Sequence, residues 1–249
     1  MTEFKIEHKF LKKILETIMV FEKNDVKLNF TEKGINITKI DDGRIAIYIL
    51  DIDKGDLVDY KMDDVQTFNI NLTNLSKYIN KFKFKKTDNS LLEFSFHTDD
   101  CYIISDGIKK NFSNFTMGTD NVKPEALTKL EYKIQFQNLN HFGRFIDKTN
   151  KDYTIRILLK ENLSLSSGLT QFTDLSMNKV DGLLVNDEYG EIDLIFACSY
   201  LKKFKAIYNS ESVLYLKFDT PLKIVNKLGL FSNVVFYLAP RIVEKQEDD

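Results

Sequence analysis

The sequence predicts an α+β protein of two domains built to one plan, each combining antiparallel strands with two amphipathic helices. Three observations carry this. The same order of elements occurs twice, each copy alternates helix-period with strand-period apolar patterns, and a stretch of little periodicity separates the copies. With 249 residues, 43% of them apolar and twenty of them Phe, the chain can fill two cores of ordinary size. Only three Pro and ten Gly exclude a low-complexity or disordered class.

The first copy opens with a helix over residues 8–20, where Phe10, Leu11, Ile14, Leu15, Ile18 and Met19 form one apolar stripe. Strands follow, meeting at Glu32-Lys33-Gly34-Ile35, where Gly accepts the left-handed backbone of a hairpin corner. Residues 68–71 then lead as a strand into a second helix over 72–82, with Leu72, Leu75, Ile79 and Phe82 apolar. The second copy begins near residue 140 with a helix that turns Leu139, Phe142, Phe145 and Ile146 inward. Its strands turn at Lys160-Glu161-Asn162-Leu163, and residues 192–197 run into a helix over 199–208 carrying Leu201, Phe204 and Ile207. Thr73 and Ser199 open the two short helices with hydroxyls suited to N-caps, and Thr98 and Thr220 fall at matching bends. Residues 116–130, with Gly118, Asn121 and Pro124, read as a connector crossing a surface. The domains are expected at 1–117 and 131–249, with the interdomain connector at 118–130.

Several classes drop out. The longest apolar runs, such as residues 45–50, are strand-sized, and Glu3, Lys5, Glu7, His8 and Lys9 do not fit a signal peptide, so a soluble intracellular protein is expected. Cys101 and Cys198 are too few for a disulfide framework and read as reduced core thiols. Catalysis finds no support. Glycines never fall closer than eight residues apart, which leaves no phosphate-binding loop, and His8, His97 and His141 lack metal-ligand spacing. The pairs Asp41-Asp42 and Asp99-Asp100 read as solvated turns. Neither an enzyme nor a cofactor or metal site is expected.

The net charge is −2, yet the cations are gathered on helices while acids crowd loops and strand ends. Lys9, Lys12 and Lys13 lie opposite the first apolar stripe. Lys77 and Lys81 stand one turn apart on the second helix, with Lys83, Lys85 and Lys86 beyond them. His141, Arg144, Lys148 and Lys151 form a stripe on the third helix, and Lys202, Lys203 and Lys205 lie on the fourth. Flexible lysines on helix faces suit phosphate contact that is blind to sequence and sensitive to salt. No aromatic sheet face of the kind that stacks single-stranded bases is apparent.

The chain closes on Tyr237-Leu238-Ala239-Pro240-Arg241 and an acidic tail. It carries Leu11-Lys12-Lys13-Ile14-Leu15-Glu16, Ile40-Asp41-Asp42-Gly43-Arg44-Ile45, Asn71-Leu72-Thr73 and Leu75-Ser76-Lys77 in order. Over essentially its whole length it resembles the sliding clamps of the proliferating-cell-nuclear-antigen (PCNA) family, the DNA polymerase processivity factors. The resemblance implies a ring of three two-domain subunits around duplex DNA, helices lining the hole and sheets outside. Subunits would pair through edge strands near residues 109–117 and 172–180. The resemblance further implies a pocket for a short peptide motif of polymerases, flap endonucleases and ligases, with a clamp loader as a further partner. Carried over by position, that pocket takes Ile40, Arg44 and Ile45 from a loop, Val122 and Leu127 from the connector, and Pro221, Tyr237, Ala239 and Pro240. Lys123 and Lys129 depart from the acidic connector of the eukaryotic clamps, and Lys160 falls near their modified hairpin lysine. A subunit of a heterotrimeric archaeal clamp or a checkpoint clamp is the alternative. Localisation would be nuclear for a eukaryotic or nuclear-viral source and cytoplasmic for an archaeal or cytoplasmic-viral one.

Overall fold

The computed structural model describes residues 1–22, 24–80, 82, 90–97, 100–112, 115–117, 127, 129–130, 132, 134–137, 139–159, 163–167, 192–205 and 211–241. The chain divides into two compact units. The first comprises Met1–Lys39, Tyr48–Pro124 and Lys227–Val234, and the second Ile40–Ile47, Glu125–Asn226 and Val235–Asp249. Each unit therefore takes a short segment from the other half of the sequence.

The first unit contains strands β1 (Thr2–Glu7), β2 (Asp25–Thr31), β3 (Gly34–Ile40), β4 (Ala46–Asp53), β5 (Asp59–Met62), β6 (Gln66–Asn71), β7 (Leu91–Phe96), β8 (Cys101–Ser105), β9 (Ile108–Asn111) and β10 (Phe115–Met117). They form a five-stranded sheet ordered β5-β1-β7-β8-β9 and a run ordered β10-β6-β2-β3-β4. Strand β1 was not legible in the sequence. Thr2, Phe4 and Ile6 are buried on its inner face, but Glu3, Lys5 and Glu7 interleave them so tightly that they read as a charged terminus. The β2–β3 hairpin turns through Glu32-Lys33, with Thr31 opposite Gly34. Gly34 sits at φ +134°, and a Cβ there would lie 2.1 Å from the Ile52 carbonyl oxygen, so close approach as well as conformation requires glycine.

Helix α1 (His8–Met19) and helix α2 (Leu72–Ile79) fill this unit's core. Leu11, Ile14, Leu15 and Ile18 are buried as the stripe predicts, while Phe10 and Met19 are only half-buried at its margin. The N-cap of α2 is Asn71, whose side chain accepts from the Asn74 amide at 3.0 Å. Thr73 is therefore not the cap, because the helix starts two residues earlier than a hydroxyl cap there would demand. Phe4, Phe30, Phe68, Phe94 and Phe96 pack together; Phe4 stacks on Phe94 at 4.8 Å and Phe68 lies 5.0 Å from Phe96. A cavity of about 40 Å³ remains among Phe4, Leu11, Ile14, Leu28, Ile70 and Phe94.

The second unit contains β11 (Ile134–Gln137), β12 (Thr154–Leu159), β13 (Leu163–Ser167), β14 (Ile192–Ala197), β15 (Val213–Leu216), β16 (Leu222–Lys227) and β17 (Asn233–Leu238). Their orders are β13-β12-β14 and β17-β16-β15-β11. Helices α3 (Asn140–Lys148) and α4 (Cys198–Lys205) pack against each other. Leu139, Phe142, Phe145, Ile146, Leu201 and Phe204 are buried, and the Phe204 ring stacks on Phe236 at 4.9 Å. Ser199 lies inside α4 rather than capping it, since that helix begins at Cys198. Both cysteines are free and fully buried, and burial pushes each thiol above its usual range, as expected of inert core residues.

The fold class is the predicted one, α+β with antiparallel sheets and amphipathic helices. The turn at 160–162, Thr98, most of the connector and the 172–180 edge lie outside the described residues. Among the described residues, no helix is long and apolar enough to cross a membrane.

Candidate functional site

In the first unit, Lys9 and Lys12 project from α1 into solvent and Lys77 from α2, on faces opposite the buried stripes. Lys12 Nζ is 3.8 Å from Glu16 across one helical turn, an exposed pair that holds the side chain weakly. Lys13 differs: its Nζ donates to the Leu228 carbonyl at 2.6 Å, so its ammonium is engaged in holding the 228–232 turn. His8, at the start of α1, has its pKa pulled below the ordinary value by burial and then by the Lys12 charge. Lys81 lies outside the described residues.

In the second unit, Arg144, Lys148 and Lys203 are exposed on α3 and α4. Lys148 occupies the last turn of α3, where a cation complements the helix dipole. Lys202 is half-buried and donates to the Asp147 carbonyl at 3.2 Å, fastening α4 to α3. Lys203 Nζ stands 5.2 Å above the Tyr200 ring. Lys205 ends α4, and its side chain is not among those described.

The loop at 41–45 also belongs to the second unit and is organised by one carboxylate. Asp41 accepts from the amides of Gly43 (3.2 Å), Ile45 (2.8 Å) and Ala46 (2.6 Å) and from the Tyr200 hydroxyl (2.6 Å). Burial alone would raise its pKa, but these hydrogen bonds together hold the carboxyl below its ordinary value. Arg44 adopts φ 55°, a left-handed conformation held by a hydrogen bond from its backbone N–H to the Asp41 carbonyl at 2.9 Å. Ile40 and Ile45 are each left 41% exposed, an apolar pair presented to solvent on a rigid loop. Asp41 is thus more than a solvated turn residue: an Asp two residues before Gly is also the signature of a side chain that closes its own turn.

The end of β17 meets that loop: the Ala239 amide donates to the Ile45 carbonyl at 2.8 Å, and the Arg241 amide to the Ile195 carbonyl at 2.7 Å. Ala239 and Pro240 are half-buried beside them. Tyr237 is only 4% exposed. Pro221 is half-buried, and its carbonyl accepts the Tyr132 hydroxyl at 2.8 Å. Lys223 spans the two, with Nζ 5.5 Å from the Tyr132 ring centre, 5.2 Å from Tyr215 and 6.0 Å from Tyr237. The structure thus brings Ile45 to Ala239 and joins Pro221 to Tyr237 through Lys223 and Tyr132. Leu127 is half-buried and accepts from the Leu130 amide at 3.3 Å, while Val122 lies outside the described residues. Asp41, Tyr132, Tyr200 and Lys223 were missed as site residues because each depends on partners distant in sequence.

Residues 1–118 match the family described as proliferating cell nuclear antigen, N-terminal domain. Over this N-terminal half the chain is similar to the PCNA family of DNA sliding clamps. The "Probable DNA polymerase sliding clamp 1" of Paramecium bursaria Chlorella virus 1 is 22% identical over 243 residues, covering 87% of this chain and 88% of that protein. Among solved structures, A. fulgidus PCNA with the C-terminal region of FEN-1 bound shares the fold at a TM-score of 0.72. It is 19% identical, with 98% of this chain and 100% of that one covered. PCNA-family sliding clamps are non-catalytic processivity factors.

Proposed function

We propose that three copies of this chain close into a ring around duplex DNA and hold a DNA polymerase to its template. Each copy would contribute two domains, near 1–117 and 131–249, joined by the 118–130 connector. The observation that carries the reading is the two-faced character of all four helices described: each buries an apolar stripe in its unit's core and carries cations on its opposite side. Lys9, Lys12, Lys77, Arg144, Lys148 and Lys203 present exposed charge for phosphates, with Lys202 beside them, and none is arranged for bidentate base reading. Contacts of this kind are weak, sequence-blind and salt-sensitive, which permits sliding.

The Ile40–Ile45 loop and the β17 end, with Pro221 and Tyr237, form the seat for an aromatic-ended peptide, an apolar surface with a few backbone groups at its rim. Polymerase, clamp loader, flap endonuclease and DNA ligase are the partners this seat would recruit. No catalytic step is assigned to the chain. Native mass measured across a range of concentrations tests the ring: a persistent trimer supports it, whereas a persistent monomer points to a heteromeric clamp with missing subunits.

A further inference from the structure

Lys223 is an unusual occupant for the outer face of β16. Its ammonium is half-buried against three tyrosine rings, and among the described residues it makes no hydrogen bond or ion pair. The rings attract it only through their faces. The Tyr132 phenol is already committed as donor to the Pro221 carbonyl, and burial raises both Tyr132 and Tyr215 above the ordinary phenol range, so neither supplies an anion. Burial likewise pulls the Lys223 pKa below its usual value, the mark of a cation short of solvent and counter-charge. Tyr237 and Pro221, which flank it, are residues of the proposed peptide seat.

We propose that Lys223 is a specificity determinant of that seat, selecting partner segments that place a carboxylate beside their aromatic anchor. The inference rests on the peptide-seat reading given above. A peptide carboxylate reaching Nζ would replace missing solvation with a charge-assisted hydrogen bond in a partly dry, ring-walled site, where such bonds are strong. An apolar side chain at the same place would leave the ammonium desolvated without compensation, and an amide would accept only a weaker hydrogen bond through a neutral oxygen, so discrimination comes from both attraction and penalty.

The test uses the full chain and three aromatic-ended peptides that differ only beside the aromatic residue, carrying Glu, Gln or Leu. Affinities are measured by fluorescence anisotropy for the unaltered chain, Lys223→Met and Lys223→Arg. The expected result is a preference for Glu over Gln of about tenfold in the unaltered chain. That preference should collapse to about one in Lys223→Met, with the Leu peptide still bound, and persist in Lys223→Arg. An equal Glu-to-Gln ratio in the unaltered chain and Lys223→Met overturns the role of Lys223 while leaving the seat intact. Failure of all three peptides to bind the unaltered chain removes the seat, and the proposal with it.

Discussion

The Tyr200 hydroxyl donates to the Asp41 carboxylate at 2.6 Å, joining residues 159 positions apart. Tyr200 stands on α4, which carries Lys202 and Lys203, and Asp41 shapes the loop that exposes Ile40 and Ile45. One bond therefore ties a cationic helix to the loop assigned to partners, within a single unit. Removing the hydroxyl in Tyr200→Phe should cost about 1–2 kcal/mol of local stability, as for a hydrogen bond to a charged acceptor. Hydrogen exchange at the Gly43, Ile45 and Ala46 amides should accelerate about tenfold, while thermal unfolding of the whole protein changes little.

The same loop carries a signed pH dependence. Asp41 titrates below its ordinary 3.8 in the folded chain because its hydrogen bonds to Tyr200, Ala46, Ile45 and Gly43 outweigh burial. Its contribution is fully present above the unfolded value and lost as pH falls through the depressed folded value. Tyr200 is pushed up to about 12, first by its bond to Asp41 and then by burial, so its contribution is lost as pH rises from about 10 through that value. Amide exchange at residues 43–46 should therefore keep its protection between these limits, and a loss near neutral pH would contradict the assignment.

Asp56 plays the corresponding part in the first unit. It accepts from the amides of Leu230 (2.9 Å), Phe231 (2.9 Å) and Ser232 (2.6 Å), holding a turn whose Leu230 and Phe231 side chains are 78% and 61% exposed. Asp56→Ala leaves three donors without this acceptor and should lower stability by about 1–3 kcal/mol in urea unfolding, with Asp56→Asn losing less.

Two adjacent lysines should behave differently. Among the described residues Lys12 pairs only with the exposed Glu16, whereas Lys13 donates to the Leu228 carbonyl. Lys12→Ala should weaken DNA retention with little effect on melting. Lys13→Ala should also lower stability, by about 1 kcal/mol. Equal melting temperatures for the two variants would count against the anchoring role.

Gly34→Ala should be among the most damaging single changes in the first unit. Its new Cβ would meet the Ile52 carbonyl at 2.1 Å from a backbone at φ +134°. A loss of more than about 3 kcal/mol, or failure to accumulate folded protein, is expected in denaturant titration.

Most of the fold was legible because burial imposes periodicity. Leu11, Ile14 and Ile18, or Phe142, Phe145 and Ile146, announce their helices by spacing alone. What escaped was non-local. The pairing of β1 with β5 and β7 joins residues up to about ninety positions apart, and no local pattern encodes it. The Asn71 cap was missed because a preceding strand residue and a helix cap share one position. The cationic side chains could be read from the sequence, but not that Lys13 and Lys202 spend donors on protein carbonyls. The residues of the peptide seat came from resemblance, whereas Lys223 among its tyrosines appears only when β15, β16 and β17 lie side by side.

Encirclement is tested most directly by its dependence on DNA ends. The protein is threaded onto a linear duplex, both ends are blocked, salt is raised to screen the lysines, and the retained fraction is followed before and after one internal cut. A topological clamp should stay on the blocked duplex at high salt, slip off once the cut is made, and do so whatever the sequence. Release by salt alone, or retention that ignores the cut, would mean that the chain binds DNA from the side and does not surround it.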